Sequence, residues 1–217
     1  MNKKLGIFDL DGTLVDAYNA ISATFNYSLG ILGYPTVSVE TVKRAVGGGS
    51  RNLASKFVKE EHVSELMAIY KDNHKRFLKG NVKLFQGGEE LLKFLLDRDL
   101  LLGVATNRSK VSAGELLNEL NMRRYFDIIC TEDDVSKAKP SPDMILHIMD
   151  FHKVKPEETF YVGDMDVDFL AGTRAGVDTF LLSTGSTPYE DLKKIKDIKI
   201  FANLIDFKKY IKDNLKQ

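Results

Sequence analysis

Residues Phe8 to Asp16 read FDLDGTLVD, and they close an apolar run that begins at Leu5. Side chains two apart on an extended chain point to the same face, so Asp9 and Asp11 bring two like charges together unless the chain bends. Such a pair costs stability unless a cation or a proton sits with it. Asp-Gly is ordinary turn chemistry and explains Gly12. It does not explain the carboxylate immediately upstream on a strand that reads as buried. Something positive has to answer Asp9 and Asp11.

Working outward, short apolar runs alternate with helical patterns. KLGIFDL (4–10), LLGVATN (101–107), FDIICT (126–131), TFYVGD (159–164) and DTFLL (178–182) are apolar on both faces, as strands of a parallel sheet covered on both sides are. Helical spacing falls between them at 88–99, 110–120, 142–152 and 168–176, with Pro142 suited to a first helical position and Gly176 to a stop. The alternation predicts an α/β fold, a Rossmann-like three-layer core around a mostly parallel sheet. Residues after Asp16 break the rhythm: helical pattern runs to VKLF (82–85), with Ile21, Phe25, Leu29 and Leu32 on one face and Asp16 placed to cap the first helix. This stretch predicts an inserted all-helical cap domain over residues 16–82, leaving 1–15 and 83–217 as the α/β core.

Composition narrows the function classes. Of 217 residues, 31 are basic and 31 acidic, so no overall field favours nucleic acid or an acidic membrane. Cys130 is the only cysteine, which excludes an internal disulfide and fits a reducing cytoplasm; in FDIICT it reads as a buried small hydrophobe. The N-terminal apolar run is too short for a signal peptide, so a cytoplasmic location is expected. The lysine-rich C-terminal stretch reads as a solvated face. The four histidines show no zinc spacing, and there is no Gly-x-Ser-x-Gly or Walker-type loop.

In open α/β sheets ligands gather at the carboxyl ends of the strands. That rule brings together Asp9 and Asp11, Thr106 and Asn107, and the GDMDVD segment carrying Asp164, Asp166 and Asp168, with Lys139 in the loop KAKPSPD. Oxygen ligands without thiols favour Mg²⁺. In DLDGTLVD, ATN, KAKPSPD and GDMDVD, in that order, the chain resembles the haloacid dehalogenase superfamily, in its phosphoglycolate phosphatase-like branch. The resemblance implies Asp9 as nucleophile and Asp11 as acid and then base. It further implies Mg²⁺ held by Asp9, the Asp11 carbonyl and Asp164, with Asp168 ligating through water or orienting that shell, and Thr106, Asn107 and Lys139 around the phosphoryl group.

Asp11 discriminates within the superfamily, because dehalogenase-like and phosphonate-hydrolysing members lack an aspartate there. A phosphatase of small phosphate monoesters is the expectation, with phosphoglycolate the first guess. A β-phosphoglucomutase-like phosphomutase also keeps Asp11, and a non-catalytic binding protein on the same fold would be marked by loss of the acidic residues, none of which is lost. In AVGGGSRNL (45–53), Gly48 and Gly49 would bring backbone amides to a substrate anion and Arg51 would bind a carboxylate or a second phosphate; a flexible interhelical loop is the alternative. The role of Asp166 and the choice between monomer and homodimer stay open on the sequence.

Overall fold

The protein is described from a computed structural model covering residues 1–47 and 49–215. The chain runs β1 (Leu5–Phe8), β2 (Val15–Asp16), then four helices, α1 (Tyr18–Ile31), α2 (Val39–Ala45), α3 (Gly49–Ser55) and α4 (Glu60–Leu78), and β3 (Lys83–Leu84). It continues with α5 (Gly88–Leu96), β4 (Leu101–Thr106), α6 (Lys110–Glu119), β5 (Ile128–Thr131), α7 (Asp143–His152), β6 (Thr159–Gly163) and α8 (Asp166–Ala175). β7 (Asp178–Leu182), α9 (Tyr189–Leu192), β8 (Lys199–Phe201) and α10 (Leu204–Asn214) complete it.

Six strands form one parallel sheet in the order β5-β4-β1-β6-β7-β8. Every residue of β1 is buried, as a central strand covered on both faces requires. On one face α5, α6 and α10 close over Phe8, Leu102, Val104 and Phe160; on the other α7 and α8 close over Ile7, Ala105 and Tyr161. This is the expected three-layer core. Phe160, wholly buried, meets Phe8 edge-on at 5.9 Å and Phe207 of α10 at 6.0 Å, tying the last helix to the sheet. Cys130 is buried as expected, and burial pushes its thiol up to about 12.

The helices between β2 and β3 share an interior of Phe25, Leu29, Val63 and Leu66 that is continuous with the first face of the core. Helices fill this insert as the sequence reading expected, but the approach to them differs from that reading. Asp16 does not cap α1. It lies in β2, pairs antiparallel with Lys83 and stands 3.6 Å from its ammonium, while Ala17 occupies the cap position without a side-chain bond. The VKLF run contributes β3 to this two-stranded ribbon and not to the main sheet. Two residues are too few for a period to show. Pro142 sits just outside α7, and α8 begins at Asp166 and stops at Gly176 in the left-handed region. The C-terminal stretch is not one charged helix: it contains β8, then α10, which buries Leu204, Phe207 and Ile211 behind its lysines. Among the described residues, no helix is long and apolar enough to cross a membrane.

Candidate active site

All the core motifs meet at the carboxyl end of the sheet. Asp9 follows β1, and its backbone N–H donates to Val162 O at 2.9 Å, which keeps the residue in sheet geometry. The chain then turns at Gly12, whose φ of +83° is left-handed and whose missing Cβ would lie 2.5 Å from Asp164 Oδ2 and 2.5 Å from Tyr18 Oη. A side chain there is excluded by conformation and by space. The turn sends Asp9 and Asp11 to different partners, which resolves the clash of charge implied by their spacing.

Asp9 Oδ1 accepts from Lys139 Nζ at 2.8 Å. Its Oδ2 has no hydrogen-bond partner among the described residues, and the residue lines a cavity that also reaches Thr106, Arg108 and Lys139. Lys139, 6% exposed, also donates to Asp168 Oδ1 at 2.7 Å and Tyr161 Oη at 2.9 Å. Burial opposes its charge, but Asp168 and Asp9 outweigh burial and hold the ammonium above its ordinary range. Asp168 is saturated. Beyond Lys139 it accepts from Tyr161 Oη at 2.6 Å, and from the backbone N–H groups of Asp164 and Met165 at 3.1 and 3.0 Å. Asp164, wholly buried, accepts one bond on each oxygen, from Thr13 Oγ1 at 3.2 Å and from the Ser186 N–H at 3.0 Å.

Carboxylate oxygens of Asp9, Asp164 and Asp168 lie within 4.8 Å of one another. Three carboxylates against one lysine leave an excess of two negative charges in a buried site. The carboxyls register it: burial, then Asp168, pushes Asp164 well up; burial and Asp168 raise Asp9 from 3.8 to about 7 although Lys139 pulls the other way. The donor set fits a divalent cation. Asp9 Oδ2 and the remaining lone pairs of Asp164 are open to one, whereas the bonds around Asp168 favour a role in orienting its neighbours.

Thr106 ends β4 with its Oγ1 accepting from the Arg108 N–H at 3.3 Å, so the hydroxyl proton is left for another acceptor. Asn107 works through its side chain: Oδ1 accepts from the Lys139 N–H at 3.0 Å, and Nδ2 donates to Lys139 O and Gly47 O, both at 3.1 Å. It fixes the lysine loop and ties it to the segment before α3. Asp166 begins α8 and bonds its neighbour's N–H, at the rim of the acidic group.

The glycine loop is less simple than its sequence. Gly49 lines the cavity, and Gly48 lies outside the described residues. Arg51 does not line the cavity: it is exposed and donates to Glu60 Oε1 at 2.8 Å, because a helical residue two places after Gly49 points to nearly the opposite side of α3.

Several site residues escaped the sequence reading. Arg108 grips Asp11 with both arms, Nε to Oδ2 at 2.5 Å and Nη2 to Oδ1 at 2.8 Å, and its other nitrogen, Nη1, donates to Ser112 Oγ at 2.6 Å and His74 Nε2 at 3.0 Å. Tyr161 and Ser186 serve the acidic group, and a Cβ on Gly185 would overlap the Asp164 carboxylate. The Tyr18 hydroxyl is buried beside Gly12 without a hydrogen-bond partner among the described residues. ATNR and STGS were visible as polar strand ends, but nothing local showed where their side chains point.

Comparison with known proteins shows the family. The model of the haloacid dehalogenase-like hydrolase family matches residues 6–182. The chain belongs to this family. It is a hydrolase of the phosphoglycolate phosphatase-like branch: it is 32% identical to the phosphoglycolate phosphatase of Aquifex aeolicus, over 82% of this chain and 84% of that one. It is 30% identical to phosphoglycolate phosphatase 1 of Pseudomonas aeruginosa, over 94% of this chain and 78% of the relative. A haloacid dehalogenase-like hydrolase of Streptococcus pneumoniae shares the fold, with a TM-score of 0.85 at 24% identity, covering 97% of this chain and 99% of its own.

Proposed function

We propose that this hydrolase is a phosphatase that cleaves small phosphate monoesters with Mg²⁺ held by Asp9, the Asp11 carbonyl and Asp164, through a phosphoryl group carried on Asp9. One observation carries the reading. Asp9, whose Oδ2 has no hydrogen-bond partner among the described residues, lines a cavity of about 490 Å³, while its other oxygen is anchored to a buried lysine. When bound, Mg²⁺ supplies the positive charge that lets a carboxylate approach a phosphate dianion.

The chain's own residues supply the rest. Asp9 Oδ2 forms the bond to phosphorus as the ester P–O bond breaks, and Asp11 gives the leaving oxygen its proton. Asp11 then takes a proton from the water that cleaves the acyl phosphate, returning Asp9 and releasing inorganic phosphate. Lys139 neutralises charge on the transferring oxygens, and the free proton of Thr106 Oγ1 is placed to donate to one of them. Residues 16–82 act as the cap over this site and 1–15 with 83–217 as the core, with Gly49 and the Asn107–Gly47 contact at their junction. The phosphoglycolate phosphatases among the relatives make phosphoglycolate the first ester to try.

Phosphate release from phosphoglycolate, sugar phosphates, nucleotides and pyrophosphate, with and without Mg²⁺ and beside Asp9→Asn, tests the reading. Metal-dependent release abolished by Asp9→Asn is the expected result. Release that survives in Asp9→Asn would overturn the assigned nucleophile.

A further inference from the structure

A substrate meets Asp11 in competition with the group that already holds both of its oxygens. Arg108 holds them both, in the two-armed geometry that a guanidinium forms with a carboxylate. The pair is largely buried, at 9% and 13% side-chain exposure, and both members line the cavity with Asp9 and Lys139. The fork is therefore built for a carboxylate at the place next to where the leaving oxygen must meet Asp11.

Its orientation is imposed from the helical insert. Thr24 Oγ1 donates its only proton to Ala20 O at 2.7 Å, so at 2.9 Å from His74 Nδ1 it must accept, and that nitrogen carries the ring proton. His74 Nε2 is then the acceptor for Arg108 Nη1, with Ser112 Oγ as its second. Tyr70 stacks on the imidazole at 4.9 Å. Four of the five guanidinium N–H groups are thus directed, two of them at the group being held, and the fifth, on Nη2, has no partner among the described residues.

We infer that Arg108 reads the substrate: its fork leaves Asp11 for a carboxylate one carbon from the ester oxygen, freeing Asp11 for the leaving group, with His74 as the positioning residue that keeps the fork aimed. The inference rests on the phosphatase reading only for placing the phosphoryl group at Asp9. It selects esters of small 2-hydroxy acids over neutral esters of the same length.

Titration calorimetry in Mg²⁺ with two uncleavable probes, 3-phosphonopropanoate and propylphosphonate, isolates the carboxylate. Wild type should prefer the carboxylate-bearing probe by about tenfold or more, which is about 1.4 kcal/mol. Arg108→Gln should erase that ratio, and Arg108→Lys, which keeps the charge without the fork, should erase most of it. His74→Leu should reduce the ratio several-fold, whereas His74→Gln, whose side-chain carbonyl can replace Nε2 as acceptor, should restore it. If Arg108→Gln does not fold, the lysine and His74 variants decide. Equal binding of the two probes by wild type, no binding of either, or variants that weaken both probes by one factor would overturn the inference. Release of phosphate from neutral esters alone would overturn it and leave the phosphatase reading intact. Selective binding without phosphate release from any ester would do the reverse.

Discussion

Removing the charge of Asp9, the proposed nucleophile, should stabilise the metal-free fold. Asp9 is 7% exposed, and burial with Asp168 raises its carboxyl from 3.8 to about 7 against the pull of Lys139. A carboxyl raised in the folded state contributes its full share of stability below its unfolded value, and loses that share as pH rises through about 7. By pH 8 the cost of keeping Asp9 ionised in the fold is about 4 kcal/mol. Asp9→Asn removes the charge, keeps the shape and retains an oxygen for Lys139. The expected gain is about 2 kcal/mol or more, or about 4 to 8 °C in Tm for a chain of this size. The assay is urea unfolding in EDTA at pH 8 and pH 5, where the advantage should fall to less than half. Saturating Mg²⁺ should reverse the order, since a ligand at 100 times its Kd adds about 2.7 kcal/mol to the protein that binds it. A variant no more stable than wild type in EDTA at pH 8, or an advantage independent of pH, would refute the reasoning that charge excess defines this site.

Three further outcomes follow from the same contacts. Lys139→Met deletes three buried bonds and should cost about 3 to 5 kcal/mol by urea unfolding, with phosphate release reduced at least about a hundredfold; a loss under about 1 kcal/mol would sink the assignment of Lys139 as the buried counter-charge. Gly185→Ala puts a methyl group onto the Asp164 carboxylate, so it should cost about 1 to 3 kcal/mol and blunt the Mg²⁺-induced rise in Tm; an unchanged rise would show that Asp164 can move without loss of metal. His74 is buried and held neutral, its imidazole lowered from 6.5 to about 3 by burial and Arg108. That stability is present above 6.5 and lost as pH falls toward 3, so between pH 7 and 5 wild type should lose about 2 kcal/mol relative to His74→Gln; parallel curves would contradict it.

The layered fold and the acidic centre were legible from the chain because each rests on local pattern. A strand buried on both faces must be largely apolar, and β1, β4 and β6 are; carboxylates at the ends of such strands have little reason to be there except chemistry. Asp9, Asp164, Asp168 and Lys139 met as the strand-end rule requires. The two-residue strands β2 and β3 were not legible, since no period fits in two residues, and β8 was hidden among lysines whose partners lie elsewhere in the sheet. Arg51 misled because a basic residue beside glycines looks like an anion site until the helix turn that carries it is known.

Sequence alone therefore determined which groups stand at the end of the sheet: one strand order brings them there, and the excess of carboxylates among them calls for positive charge. Only the tertiary structure decided what each group touches. Arg108 lies one residue past a recognisable motif, yet its partners are Asp11, 97 positions before it, and His74, 34 before. Hydrogen bonds across such separations depend on how the elements pack, for His74 on how helix α4 packs against α1 and α6, and packing is a sum of many weak contacts that no short stretch of sequence records.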